Sequence, residues 1–156
     1  MSGENGFTYP AALLMIIVIS ASLMVVQKQW STIVKREKEQ ELFFRAGQIV
    51  AAIDSYYKSS PGSTGQYPES LNVLLKDNRF PVTRRHLRKI FSDPMTKQGK
   101  WGFVYDGRGR IKGVFSQSRD RPMKTGNFPP EYESFDGSRQ YSDWKFVHDP
   151  KKESSP

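Results

Sequence analysis

The chain has 156 residues, a formal net charge of +8 and no cysteine. The absence of cysteine excludes disulfide bonds, thiolate metal sites and cysteine nucleophiles. The length allows one small folded domain in addition to a separate N-terminal segment. The excess of Lys and Arg favours contacts with acidic surfaces, phosphates or lipid headgroups.

An uncharged run at residues 7–26 follows a polar leader at 1–6. As a helix, such a run covers roughly 30 Å, which is the thickness of a bilayer core. We therefore predict a single transmembrane helix at 7–27. A cleavable secretory signal is disfavoured, because the leader contains no Lys or Arg and the apolar run is longer than a usual signal core.

Helical periodicity continues beyond the apolar run. We predict an amphipathic continuation of the helix at 28–60, with Pro10 in the first turn and a stop at Ser60-Pro61. A membrane anchor with a short coiled coil is the alternative, although at most two heptads precede the stop. The predicted packing face follows the three-and-four spacing of Phe43, Ala46, Val50, Ile53 and Tyr57, with Leu42 and Ile49 beside it.

The rest of the chain predicts a globular head at 61–148 and a disordered tail at 149–156. Within the head, residues 67–75 are typical of a short helix after a proline start. Residues 83–91 form a basic amphipathic segment that we interpret as a turn or helix.

Three strands are predicted in the second half of the head. Two β-type runs flank the turn sequence Asp106-Gly107-Arg108-Gly109, which predicts a β-hairpin at 101–116. Alternating residues at 141–147 predict a third strand. The predicted fold class is therefore α+β, with a long N-terminal helix and a small antiparallel sheet.

The junction Gly6-Phe7-Thr8 resembles the class III signal of type IV pilins and of type II secretion pseudopilins. The order of later motifs resembles the major pseudopilin, and the resemblance covers roughly Gly6 to Phe115. The motifs that carry it are Ile53-Asp54-Ser55-Tyr56, Tyr67-Pro68, the leucine-rich residues 71–75 and Asp93-Pro94.

This resemblance implies a type IV pilin-like fold, in which the helix crosses the inner membrane and its second half packs on a periplasmic β-sheet head. It also implies that a prepilin peptidase cleaves between Gly6 and Phe7 and N-methylates Phe7. The implied partners are other pilin or pseudopilin subunits and the membrane, with an assembly platform protein and an ATPase acting indirectly.

Two positions depart from the family pattern. Ala11 stands where most members carry a Glu that pairs with the terminal amine of a neighbouring subunit, which favours a minor subunit. Residues 116–124, at the place of the family's calcium loop, contain Arg119, Arg121 and Lys124 beside Asp120. Because Ca²⁺ requires several oxygen ligands, we predict no calcium site here.

The predicted function is that of a structural subunit in a pseudopilus or type IV pilus-like assembly for protein secretion. The charge distribution supports an alternative. Lys28, Lys35, Arg36 and Lys38 follow the apolar run and no basic residue precedes it, which by the positive-inside rule places the head in the cytoplasm. The alternative is thus a membrane-anchored basic binding module with a cytoplasmic head.

No motif indicates an enzyme, a cofactor or a metal site. His86 and His148 are far apart in sequence, and we interpret both as surface residues without chemistry. Glu131 and Glu133 fall in a predicted loop, and the sequence around them does not indicate a pocket in which the two carboxylates would act together. A basic surface is predicted at Arg84, Arg85, Arg88 and Lys89, for acidic partner surfaces or headgroups, and nucleic acid is not the expected partner.

Overall fold

A computed structural model of the chain describes residues 8–150, except for the side chains of residues 8, 21–29 and 63. The chain forms two compact units, Met1–Glu37 and Lys38–Pro156. The leader at 1–6, the junction between Gly6 and Phe7, and residues 151–156 of the predicted tail lie outside the described residues.

The described residues form an α+β fold. The helices are α1 (Thr8–Lys58) and α2 (Asn72–Leu75), and the strands are β1 (Trp101–Tyr105), β2 (Ile111–Ser116) and β3 (Phe146–Val147). Short 3-10 turns occupy Pro61–Ser63, Pro130–Phe135 and Tyr141–Asp143. The three strands form one antiparallel sheet with β2 in the centre.

In the first unit, the described side chains of α1 are apolar from Ala11 to Ile19, and Lys28 is the first charged residue of the helix in sequence. A crossing of the bilayer requires roughly 20 apolar residues. Among the described residues, no helix combines the length and the apolar character that a membrane crossing needs. The predicted type IV pilin-like fold with a transmembrane first half is therefore wrong, and so is the predicted single-pass location in the inner membrane with a periplasmic head.

In the second unit, α1 contributes a narrow stripe to the core. Leu42, Ala46, Ile49 and Ile53 are completely buried. The three-and-four spacing predicted this face. The buried stripe is displaced by one residue from the predicted packing face. Phe43 and Val50, which were predicted on that face, flank the stripe and are only partly buried.

An aromatic cluster fills the space beside this stripe. The ring of Phe43 lies 5.1 Å from that of Trp144 and 5.5 Å from that of Phe146. Phe135 stacks on Trp144 at 5.6 Å with an interplanar angle of 7°. Because aromatic side chains bury large areas, this cluster is the main apolar contribution to the head.

The predicted hairpin at 101–116 is confirmed. β1 and β2 pair antiparallel from Trp101↔Ser116 to Tyr105↔Ile111. In the turn, the Asp106 carboxylate accepts the backbone N–H groups of Arg108 and Arg110, at 2.9 and 2.8 Å. Gly109 has a φ of 75°, a conformation that glycine adopts at no steric cost. The hydrogen bond from Arg110, followed by that from Arg108, lowers the pKa of Asp106 against the opposing effect of burial.

The predicted strand at 141–147 is wrong over most of its length. Only Phe146 and Val147 pair with β2, opposite Val114 and Gly113. Tyr141–Asp143 forms a 3-10 turn instead, because the Asp143 carboxylate accepts the N–H of Gln140 at 3.1 Å and caps the turn. The alternating pattern did not predict this turn, since the short side chain of Asp can accept hydrogen bonds from the nearby backbone and compete with strand pairing.

On the sheet, the side chains of Phe115 and Lys145 stack on each other. The ring of Phe115 lies directly over Gly102, where a Cβ atom would collide with it. The Lys145 Nζ lies 3.1 Å from the centre of the Phe115 ring. This ring therefore has backbone on one side and an ammonium group on the other.

The two other predicted helical segments are shorter or absent. Helix α2 covers only Asn72–Leu75 of the predicted 67–75. The segment 83–91 contains no helix: its backbone forms an isolated bridge between Asp77 and Arg84. The Leu74 carbonyl accepts the N–H groups of both His86 and Leu87 at 2.9 Å, which holds this segment against α2.

Candidate assembly and binding surfaces

The described part of α1 in the first unit exposes a continuous apolar surface. We define the apolar surface of α1 as residues 13–19, whose side chains are between 46 and 67% exposed. The surface consists of Leu13, Leu14, Met15, Ile16, Ile17, Val18 and Ile19. Because seven consecutive residues point to all sides of a helix, this surface has no polar face. A helix of this kind is normally covered by other apolar groups.

The predicted basic surface is present as an exposed segment. We define the basic segment as Arg84, Arg85, Arg88 and Lys89, all of which are exposed. Leu87, in the middle of the segment, is 5% exposed and packs into the core. The buried leucine fixes the backbone, so that the four cations project from a held loop.

A buried polar network lies beneath the basic segment. Asp77 is 1% exposed, and its carboxylate accepts a hydrogen bond from Arg79 Nη2 at 2.8 Å and contacts His86 Nε2 at 3.2 Å. Burial by itself raises the pKa of Asp77. The hydrogen bonds from Arg79, and then that from His86, outweigh burial and lower this pKa to about 2.

Arg79 also ends α1. Its guanidinium donates to the Tyr56 carbonyl at 2.9 Å and to Ser60 Oγ at 3.0 Å. It lies 3.5 Å from the centre of the Tyr56 ring. A cation near the last carbonyls of a helix satisfies acceptors that have no partner within the helix and interacts favourably with the helix dipole.

The histidine of this network superficially has the arrangement of a hydrolase. Ser55 Oγ lies 2.8 Å from His86 Nδ1, and the opposite ring nitrogen faces Asp77. The Asp77 oxygen that faces His86 also accepts Nε and Nη2 of Arg79. The carboxylate is therefore engaged with a permanent cation and is not reserved for an imidazolium. We interpret the contacts of Ser55 and His86 as structural.

His148 is the second histidine that the structure places in the interior. It is 6% exposed, and its Nδ1 lies 3.2 Å from the Tyr67 hydroxyl. Its Nε2 lies 3.2 Å from Asp54 Oδ1, without the geometry of a hydrogen bond. The contacts join the end of β3 to α1 and to the loop before α2, so His148 is a connecting residue of the head.

An apolar groove runs beside β1. It has a volume of about 550 Å³, and its lining includes Leu71, Phe91, Trp101, Phe103 and Tyr105. The groove offers packing area, and polar residues such as Glu69, Lys100 and Gln117 complete its lining. Across the part of the chain that the structure describes, no three His, Asp or Glu side chains form a cluster suited to a metal ion.

Sequence reasoning missed the buried roles of His86 and His148, both of which were predicted at the surface and are not. It also missed Asp77 and Arg79. One signal was available: Asp77 and Arg79 flank Asn78 in a segment between two apolar stretches. Such spacing predicts a local ion pair but does not reveal its burial.

Comparisons with known proteins give no relative, since no family model, curated protein or solved structure matches the chain. The predicted attributes of a type II secretion pseudopilin are therefore withdrawn. Cleavage between Gly6 and Phe7 with N-methylation of Phe7 lies outside the described residues and stays a prediction. The functional surfaces must be interpreted from their own chemistry.

Proposed function

We propose that the chain is a structural, non-enzymatic subunit of a pilus-like filament. The observation that supports this proposal is the apolar surface of α1, which is exposed on all sides of the helix. One flat partner would cover a single face of such a helix. Several parallel helices from neighbouring subunits would cover every face, and burial of apolar area would drive the association.

The proposed position in the filament is that of a low-copy subunit. Ala11 is exposed on α1 and has no carboxylate to pair with the terminal amine of a neighbour. A subunit that lacks this charge pair is best suited to a place where one of its two neighbours is missing. In the same proposal, other filament subunits are the direct partners, and an assembly platform and ATPase act indirectly.

Cysteine cross-linking tests the proposal without background, because the chain contains no native cysteine. Ile17→Cys places a thiol on the apolar surface of α1, and Arg108→Cys places one at the exposed turn of the hairpin as the matched control. In the native host, Ile17→Cys paired with a cysteine variant of the same surface should form disulfide-linked oligomers. Equal cross-linking of Ile17→Cys and Arg108→Cys would reject the filament proposal.

A second candidate function is favoured by the exposed cations of the basic segment, which suit a binding module for an acidic partner surface. The two functions respond differently to substitution. Ile17→Asp should abolish assembly and leave a basic module intact, whereas the double variant Arg84→Glu/Arg85→Glu should abolish capture of an acidic partner and leave cross-linking through position 17 intact.

A further inference from the structure

Two loop segments of the head, 120–125 and 137–141, face each other across a cavity. They are tied at both ends by backbone hydrogen bonds. Tyr141 N donates to the Asp120 carbonyl at 3.1 Å, and Gly137 N donates to the Thr125 carbonyl at 3.5 Å. Between these two ties the segments separate and leave a cavity of about 460 Å³. The opening is therefore part of the backbone design of the head.

The side chains that line this cavity include several hydrogen-bond donors. The lining consists of Arg121, Thr125, Gly137, Ser138 and Arg139. Two guanidinium groups supply forks of N–H donors, and two hydroxyl groups supply further donors. Asp120 begins the first segment and Asp136 directly precedes the second; both are exposed, and neither is among the lining residues. Such a donor set matches a tetrahedral oxyanion.

Both walls are held from behind. On one wall, the Glu39 carboxylate accepts Met123 N at 3.0 Å and Lys124 N at 3.1 Å, which anchors the loop to α1. On the other wall, Asp143 Oδ2 accepts the backbone N–H groups of Arg139 and Gln140, at 3.2 and 3.1 Å. Asp143 is thereby directed to the backbone. A ligand would meet loops that are already ordered, which lowers the cost of binding.

We propose that this cavity is a phosphate-binding pocket, with Arg121 and Arg139 as its recognition residues. The cavity volume falls in the range of small-molecule sites and leaves room for more than a bare phosphate. The ligand class is therefore a phosphate monoester, either a small soluble molecule or the headgroup of a phosphorylated lipid. The proposal is independent of filament assembly, since it depends only on residues of the head.

The test is titration of the purified full chain by calorimetry at low ionic strength. The probes are inorganic phosphate, glycerol 3-phosphate, and phosphatidylcholine vesicles with or without phosphatidic acid. Saturable binding of at least one phosphate probe is expected. Arg121→Gln and Arg139→Gln should each weaken it by roughly tenfold or more, as expected for loss of a charge-assisted pair. Arg108→Gln, at the exposed hairpin turn, is the matched control and should bind as the unmodified chain does.

The outcomes separate the sources of the ligand. Binding to glycerol 3-phosphate identifies a soluble monoester, and binding confined to phosphatidic acid vesicles identifies a headgroup. Arg121→Lys and Arg139→Lys keep the charge but lose the fork, so each should lie between the unmodified chain and its Gln variant. The proposal is overturned if no phosphate probe saturates, or if Arg108→Gln reduces affinity as much as Arg139→Gln.

Discussion

Two stretches of α1 contain the same kinds of apolar residues and have opposite environments. Leu13, Ile16 and Ile17 are 46, 60 and 65% exposed, whereas Leu42 and Ile49 are completely buried. The difference lies in spacing. The later stretch places its apolar residues on one face, which the head of the same chain covers. The earlier stretch is apolar at successive positions, so its apolar side chains do not lie on a single face of the helix, and they are exposed.

The comparison extends to polar groups. The head buries the charge of Asp77 and pairs it with the partly exposed Arg79. The apolar residues 13–19 of the first unit are exposed instead. Substitutions should therefore affect the stability of the head and the association of the first unit separately.

The largest expected effect follows from Arg79→Ala. This change leaves the Asp77 carboxylate buried without its main partner and removes the donor to the Tyr56 carbonyl. We expect a loss of about 3–5 kcal/mol in the free energy of unfolding, measured by denaturant titration. Ile17→Ala, on the apolar surface of α1, should change that free energy by less than about 0.5 kcal/mol. A comparable loss in both variants would contradict the separation of the two regions.

A smaller effect is expected from Gly113→Ala. A Cβ atom at Gly113 would collide with the backbone of Phe146 and Val147, which cannot rotate away. The two residues of β3 must then shift, at a cost of about 1–3 kcal/mol. Gly107→Ala is the matched control, because a Cβ atom there would have no neighbour within 4 Å. Equal midpoints of thermal unfolding in the two variants would show that β3 is not firmly paired.

The smallest expected effect is a dependence on pH. The pKa of Asp77 falls from an ordinary value of 3.8 to about 2 in the folded head. A lowered pKa contributes stability above the unfolded value, and this contribution is lost as the pH falls through 4 toward 2. By linkage, the loss from this group is about 1 kcal/mol at pH 3. Unfolding free energies at pH 6 and pH 3 measure it, and Asp77→Asn should show a smaller difference between them.

Local patterns predicted the elements that local interactions determine. The hairpin was predictable because Asp106 and Gly109 provide the turn within four residues. The packing face of α1 was predictable to within one residue, because helical spacing is fixed. Helix α2 was predicted with excess length, since no capping side chain marks its first residue.

Features that depend on distant residues were not predictable. The pairing of β2 with only Phe146 and Val147 of the predicted strand could not be read from the alternating pattern. The burial of His86 depends on Ser55, which lies 31 positions earlier in the chain. The arginine cavity requires two segments to meet, and of its lining residues only Arg121 lies in the segment 116–124 that the sequence analysis considered. The exposure of the basic segment was predictable because four of the six residues from 84 to 89 are Lys or Arg.

Lys145, whose Nζ lies beside the Phe115 ring, differs in reactivity from a fully solvated lysine because its amine is partly removed from water. Burial lowers the pKa of Lys145, and the nearby Asp143 only partly opposes this. At a given mildly alkaline pH, a larger fraction of this amine is uncharged than for a fully solvated lysine, and the uncharged form is the nucleophile. Acylating reagents should therefore distinguish Lys145 from the other lysines of the head. Since Lys145 directly precedes β3, its rate of acylation would report opening of this edge of the sheet without any engineered label.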